Sequence, residues 1–149
     1  MTLNKILEQE KLLDFEQYNF GTKIITDDVV GVAFCALKKY SETSKNTAIL
    51  AQNLFIAEQI RDILIDFVGA ENVIYLPSEE LVESEFLAAS PDIKCDRIGG
   101  LVDLLSAEHK IIIMNVATAL RYYPDPKLFA SRIIKINKND TINFSEFKA

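Results

Sequence analysis

Along this chain, segments whose apolar residues recur every three or four positions alternate with short runs that are apolar throughout. The first pattern is that of an amphipathic helix and the second that of a buried strand. Leu3, Ile6, Leu7 and Leu13 predict one face of a first helix. Val30, Ala33, Phe34 and Leu37 predict a second, with Asp28 placed to cap it. Ile56, Ile60, Ile63, Leu64 and Phe67 predict a third, opened by Asn53 and ended by Gly69. Ile98, Leu101 and Leu105 mark a fourth, which starts at Ser90-Pro91-Asp92, where proline and an acid both suit the first turn. A short helix from Ala117 ends before Pro124, and Asp125 or Pro126 begins another helical turn. Between these lie five candidate strands, near residues 22–26, 46–51, 72–76, 110–115 and 132–137. The run Lys110-Ile-Ile-Ile-Met114 is apolar on both faces and belongs in the middle of a sheet.

This alternation predicts an α/β fold: three layers, with a mainly parallel sheet and right-handed helical crossovers. The connection from Pro77 to Ser90 is longer than is usual in such folds, a property common in functional loops. It is acidic (Glu79, Glu80, Glu83, Glu85) and carries Leu81, Val82, Phe86 and Leu87. Those apolar members are expected to anchor the loop on the domain or to form a sticky surface for a neighbour.

The 149 residues fit one domain, and 49% hydrophobic with 26% charged residues is globular composition. The net charge of −6 argues against autonomous DNA binding, which relies on Lys and Arg to neutralise phosphates. Cys35 and Cys95 sit in apolar helical patterns and are expected to be buried, reduced thiols, which fits a cytoplasmic protein. With one histidine and no CxxC, no zinc site is expected. The N-terminus alternates charge with leucine, unlike a signal peptide, and no apolar run is long enough to span a membrane.

A nucleotide-binding site after the first strand needs glycines whose amides close around phosphate, a lysine, and a Ser or Thr for magnesium. That place reads Ile24-Ile-Thr-Asp-Asp-Val-Val-Gly31, with one glycine, no lysine and two aspartates that repel phosphate. Asp27-Asp28 also sits where receiver domains keep an acidic magnesium pair, and Thr118 and Lys135 loosely imitate further receiver positions. A receiver needs a phosphoacceptor aspartate at the end of the third strand, and that strand ends in Tyr75-Leu76-Pro77. The glutamates of the long loop read as a solvated charge run, Ser90 has no histidine partner, and His109 reads as a loop residue. Catalytic, cofactor and metal residues are therefore all expected to be absent. The structural or interface candidates are Arg97, Phe86, Leu87 and Leu81. Arg97 lies about one and a half turns into its helix, close enough to donate to loop carbonyls or to Glu83 or Glu85. Gly99-Gly100 in mid-helix costs about 1 kcal/mol per glycine relative to alanine, and a close backbone approach would explain the pair.

The proline-ended strand, the Glu79-Glu80-Leu81 of the loop, Ser90-Pro91 opening the helix of Arg97, the strand Ile111 to Met114, and then Ala117, Leu120 and Pro124 together resemble the N-terminal, UvrB-like module of bacterial transcription-repair coupling factors. The resemblance covers about residues 22 to 147. It implies a RecA-like, P-loop-NTPase-like fold with a degenerate nucleotide site. It also implies a non-catalytic module serving protein contacts and autoinhibition. The intact factors displace stalled RNA polymerase from damaged DNA by ATP-driven translocation, with ATP and magnesium in a separate motor domain, and recruit nucleotide-excision repair. The implied partners are the other domains of the same protein, the repair protein UvrA (mainly through an inserted domain that this chain lacks), and RNA polymerase and DNA through the whole protein. On this reading residues 1–149 form a single UvrB-like domain, and 138–149 are a tail leading toward the inserted domain. The alternatives are a receiver-like signalling domain and a small α/β enzyme with an unrecognised site.

Overall fold

The computed structural model describes residues 28–79, 90–134, 136, 138 and 141. The expected first helix, the strand at 22–26, Asp27, and the loop candidates Leu81, Phe86 and Leu87 lie outside the described residues. Described elements follow the order α1 (Val29–Glu42), β1 (Thr47–Ala51), α2 (Leu54–Val68), a tight turn (Ala70–Asn72), β2 (Val73–Leu76), α3 (Pro91–Leu104), β3 (Ile111–Asn115), a single helical turn α4 (Val116–Ala119) and α5 (Pro126–Ser131).

The three strands form a parallel sheet in the order β1-β3-β2. The strand that is apolar on both faces is the central one, with Ile113 opposite Ile49 on one side and Tyr75 on the other. The path moves two places from β1 to β2 and one place back to β3. With crossovers of one hand, that reversal puts α2 and α3 on opposite faces. The packing agrees. Ala33, Ala36 and Leu37 of α1 and Ala57, Ile60 and Leu64 of α2 form the main core with Ile49, Ala51, Ile111 and Ile113. On the other face Ile74, Leu76 and Ile112 meet Leu101, Ala107 and Met114. Helices on both faces of a parallel sheet make this an α/β domain of three layers.

Local chemistry sets the helix ends. Asp28 accepts from the Val30 amide at 3.0 Å, Asn53 from Ile56 at 2.8 Å, and Asp125 from Lys127 and Leu128. Gly69, at φ 84°, turns the chain out of α2, a left-handed backbone that suits glycine. At the amino end of the sheet His109 also has a positive φ, 52°. Its ring stacks on Tyr40 with centroids 4.2 Å apart, and its Nε2 lies 3.0 Å from the Tyr40 carbonyl oxygen, pinning α1 to the lead-in of β3.

Several expectations need correction. No strand forms at residues 132–134 or 136. The helix started by Pro126 carries Arg132 on in helical conformation, and Ile134 and Ile136 are 65% and 49% exposed. In α1 Ala33 and Leu37 are buried together with Ala36, Phe34 packs against that core, and Val30 of the expected face is exposed. In α3 the expected stripe is loose: Ile98 is 54% exposed, Leu105 is also exposed, and only Gly100 is buried. That helix covers the β2 side of its face and leaves Leu50 of β1 59% exposed.

Candidate functional site

In open parallel sheets ligands gather outside the carboxyl ends of the strands. Here that edge is closed by a buried polar clasp. β3 ends in Asn115, which is fully buried and caps α4. Its Nδ2 donates to the Ser78 carbonyl at 2.7 Å, and its Oδ1 accepts from the amides of Ser78 at 3.2 Å and Thr118 at 3.3 Å. The Thr118 hydroxyl lies 2.7 Å from the Leu76 carbonyl oxygen and 2.6 Å from Asn115 Oδ1, so its one proton serves one of them at a time. One side chain thus stitches the turn after β2 to the turn after β3. Sequence reasoning passed over Asn115 and Ser78, which are 37 positions apart. The one local signal was an asparagine closing an apolar strand directly before a helical turn, a helix-capping pattern.

Two arginines reach the same turn from outside. Arg97 Nη1 donates to the Pro77 carbonyl at 3.3 Å, and Arg121 Nε donates to the Ser78 hydroxyl. Glu79 turns back to accept from the Ser90 amide, the residue before α3. Tyr123 donates to the Thr118 carbonyl at 2.9 Å. Burial pushes the Tyr123 hydroxyl up, and the positive charges of Arg97 and Arg121 pull it back. Among the described residues neither arginine forms an ion pair. Arg97 is half-buried, so its loss removes one charge-assisted bond and some packing. Arg97→Ala is expected to lower stability by about 1–2 kcal/mol in urea unfolding. A variant as stable as the parent would show that this bond contributes nothing in solution.

Beside the clasp lies an apolar groove of about 520 Å³. Leu76, Leu101, Leu104 and Met114 form its floor, and Tyr123, Pro126 and Phe129 stand along its wall.

A second hollow, between α2 and α3 over the outer edge of β2, is lined by Arg61, Asp62, Tyr75, Cys95, Asp96 and Asp103. Arg61 bonds Asp62 at 2.8 Å and lies 4.7 Å from the centre of the Tyr75 ring. The Tyr75 hydroxyl is buried without a hydrogen-bond partner among the described residues. Burial, aided by Glu58, pushes its pKa up to about 12. The expectation of two buried cysteines is corrected here: both thiols are free, Cys35 is half-buried and Cys95 is exposed, because α3 turns that face to solvent. Burial raises the Cys35 thiol. Among the described residues no group of three His, Cys, Asp or Glu side chains is placed to hold a metal. A receiver would carry a carboxylate at the end of β2, and Pro77 and Ser78 stand there. No helix among the described residues is long and apolar enough to cross a membrane.

Fold and edge together define a small parallel α/β domain whose ligand-binding end is occupied by its own polar groups. Among curated proteins the chain is similar to transcription-repair-coupling factors. It is 29% identical to that of Bacillus subtilis (strain 168) over 91 residues, 61% of this chain and 8% of that protein. It is 19% identical to those of Staphylococcus aureus strains USA300 and bovine RF122 over 110 residues, 74% of this chain and 9% of each relative. The resemblance to these coupling factors is thus shown, and the chain spans less than a tenth of the length of these relatives. No family model matches the chain, and no solved structure matches it.

Proposed function

We propose that this chain is a non-catalytic module of a transcription-repair coupling factor, working through protein contacts and autoinhibition. The observation that carries the reading is the match to several such factors over 61–74% of the chain but only 8–9% of their length. A segment of that proportion is a module of a larger machine. The carboxyl edge of the sheet supports a contact role, because Asn115, Thr118 and Ser78 spend their polar atoms on one another. In the described part of the stretch where a nucleotide fold carries its phosphate loop, Asp28 caps α1 and no lysine is present through Gly31. The reading extends to the fold class: a RecA-like domain with a degenerate nucleotide site. It extends also to the parent, an ATP-driven translocase that displaces stalled RNA polymerase from DNA and brings in UvrA. The immediate partners of this chain would be other domains of the same protein.

The full reading frame of the gene tests the parent: translocase motifs downstream support it, and a stop codon shortly after Ala149 removes it. Titration with Mg-ATP tests the module. Binding is expected to be no tighter than about 100 μM, about −5.5 kcal/mol. A tighter complex would mean that the site is not degenerate.

A further inference from the structure

The two arginines lie beside the groove, on the Pro77-Ser78 turn that follows its lining residue Leu76. On α3, Arg97, Leu101 and Leu104 follow one another at helical spacing, so the guanidinium stands one turn beyond the apolar floor. Arg121 follows α4, and Tyr123, two residues on, forms part of the groove wall. Both guanidiniums bond the Pro77-Ser78 turn, so both charges lie on the same side of the groove. Each has five N–H donors and spends one on the Pro77-Ser78 turn, with no carboxylate partner among the described residues. The result is an apolar slot with two guanidiniums beside it, on a chain of net charge −6.

We propose that this slot is a docking site for a peptide segment of a partner protein, one that carries a carboxylate beside one or two bulky apolar side chains. The assignment rests on the reading of the chain as a contact module. A volume of about 520 Å³ holds about two or three large side chains, within the range of well-formed binding pockets. The floor offers the apolar body of the ligand a dry surface, and the arginine forks offer its acid paired N–H donors. A wholly apolar ligand would leave those donors idle, and a basic one would be repelled by them.

The test uses the full 149-residue chain, with labelled methionine methyl groups as reporters. The chain has two methionines, and Met114 lies in the groove floor, so its signal is distinct from that of Met1. The probe is a blocked peptide, acetyl-Phe-Leu-Glu-Glu-amide, and the control carries glutamine in place of glutamate. The Met114 signal is expected to shift saturably with the acidic peptide, and the glutamine peptide to bind about fivefold more weakly, the equivalent of about 1 kcal/mol. Arg121→Gln should remove that preference. Ala119→Phe, which fills the groove from an exposed position, should abolish the shift. Equal binding of both peptides, or no saturable shift at Met114, overturns the proposal. If the peptide binds only after residues 80–89 are replaced by a Gly-Ser linker of equal length, the groove's occupant is the chain's own segment, and the partner assignment is overturned. These titrations read the surface of this chain alone, so they can fail while the reading frame still supports a coupling factor, or succeed while it does not.

Discussion

Asn115→Ala is expected to destabilise the domain by about 3–5 kcal/mol, a large share of the 5–15 kcal/mol that holds a domain of this size together. The side chain is fully buried and serves three backbone groups: the Ser78 carbonyl, the Ser78 amide and the Thr118 amide. Alanine leaves all three without that partner, where each unsatisfied group costs about 1–3 kcal/mol. Water entering the vacated space recovers part of the loss, so the sum is not reached. The turn after β2 also loses its tie to β3, so Arg97 and Arg121 lose the surface that orients them. Urea unfolding with an unchanged slope reads the effect directly. A loss below about 1 kcal/mol would mean that the clasp is not formed in solution.

The elements that could be read beforehand are those whose signal is local. Ile111–Met114 is apolar at successive positions, so only a central strand buries it, and β3 is that strand. Asp28, Asn53 and Asp125 each precede a helical run, and each caps it. The errors arise where distant residues decide. Arg132 to Asn137 alternates like a strand, but alternation forms a strand only where a neighbouring edge accepts it, and the described residues there have none. Ile98 fits a helical stripe, yet α3 sits on β2 through Gly100 and turns that side chain outward. The site divides in the same way. Arg97 could be singled out as the one arginine of the helix that follows a long loop. Its acceptor, the Pro77 carbonyl, lies 20 positions back and is set by the fold. Asn115 was harder to find, because an asparagine after a strand looks like any loop residue until Ser78 is brought against it.

The adjacent glycines of α3 are expected to respond to alanine in opposite directions. A Cβ on Gly99 meets nothing within 4 Å, whereas one on Gly100 would lie 2.4 Å from the Tyr75 carbonyl oxygen and 2.8 Å from a Leu76 methyl carbon. At Gly99 alanine adds helix propensity and trims the freedom of the unfolded chain, so Gly99→Ala should stabilise by about 0.5–1 kcal/mol. At Gly100 the same gain is opposed by a contact with strand backbone, which cannot rotate away as a side chain tip would. The helix must lift off β2, opening the small core of Ile74, Leu76 and Ile112 and widening the groove that Leu76 and Leu101 line. Gly100→Ala should therefore destabilise by about 2–3 kcal/mol after the propensity gain is counted. The two melting curves should fall on either side of the parent's. If Gly100→Ala melts with or above the parent, α3 does not ride on the β2 backbone, and the groove built between them loses its floor. If both alanines stabilise alike, the pair of glycines is merely a weak stretch of helix, and the close approach that accounts for Gly100 is absent.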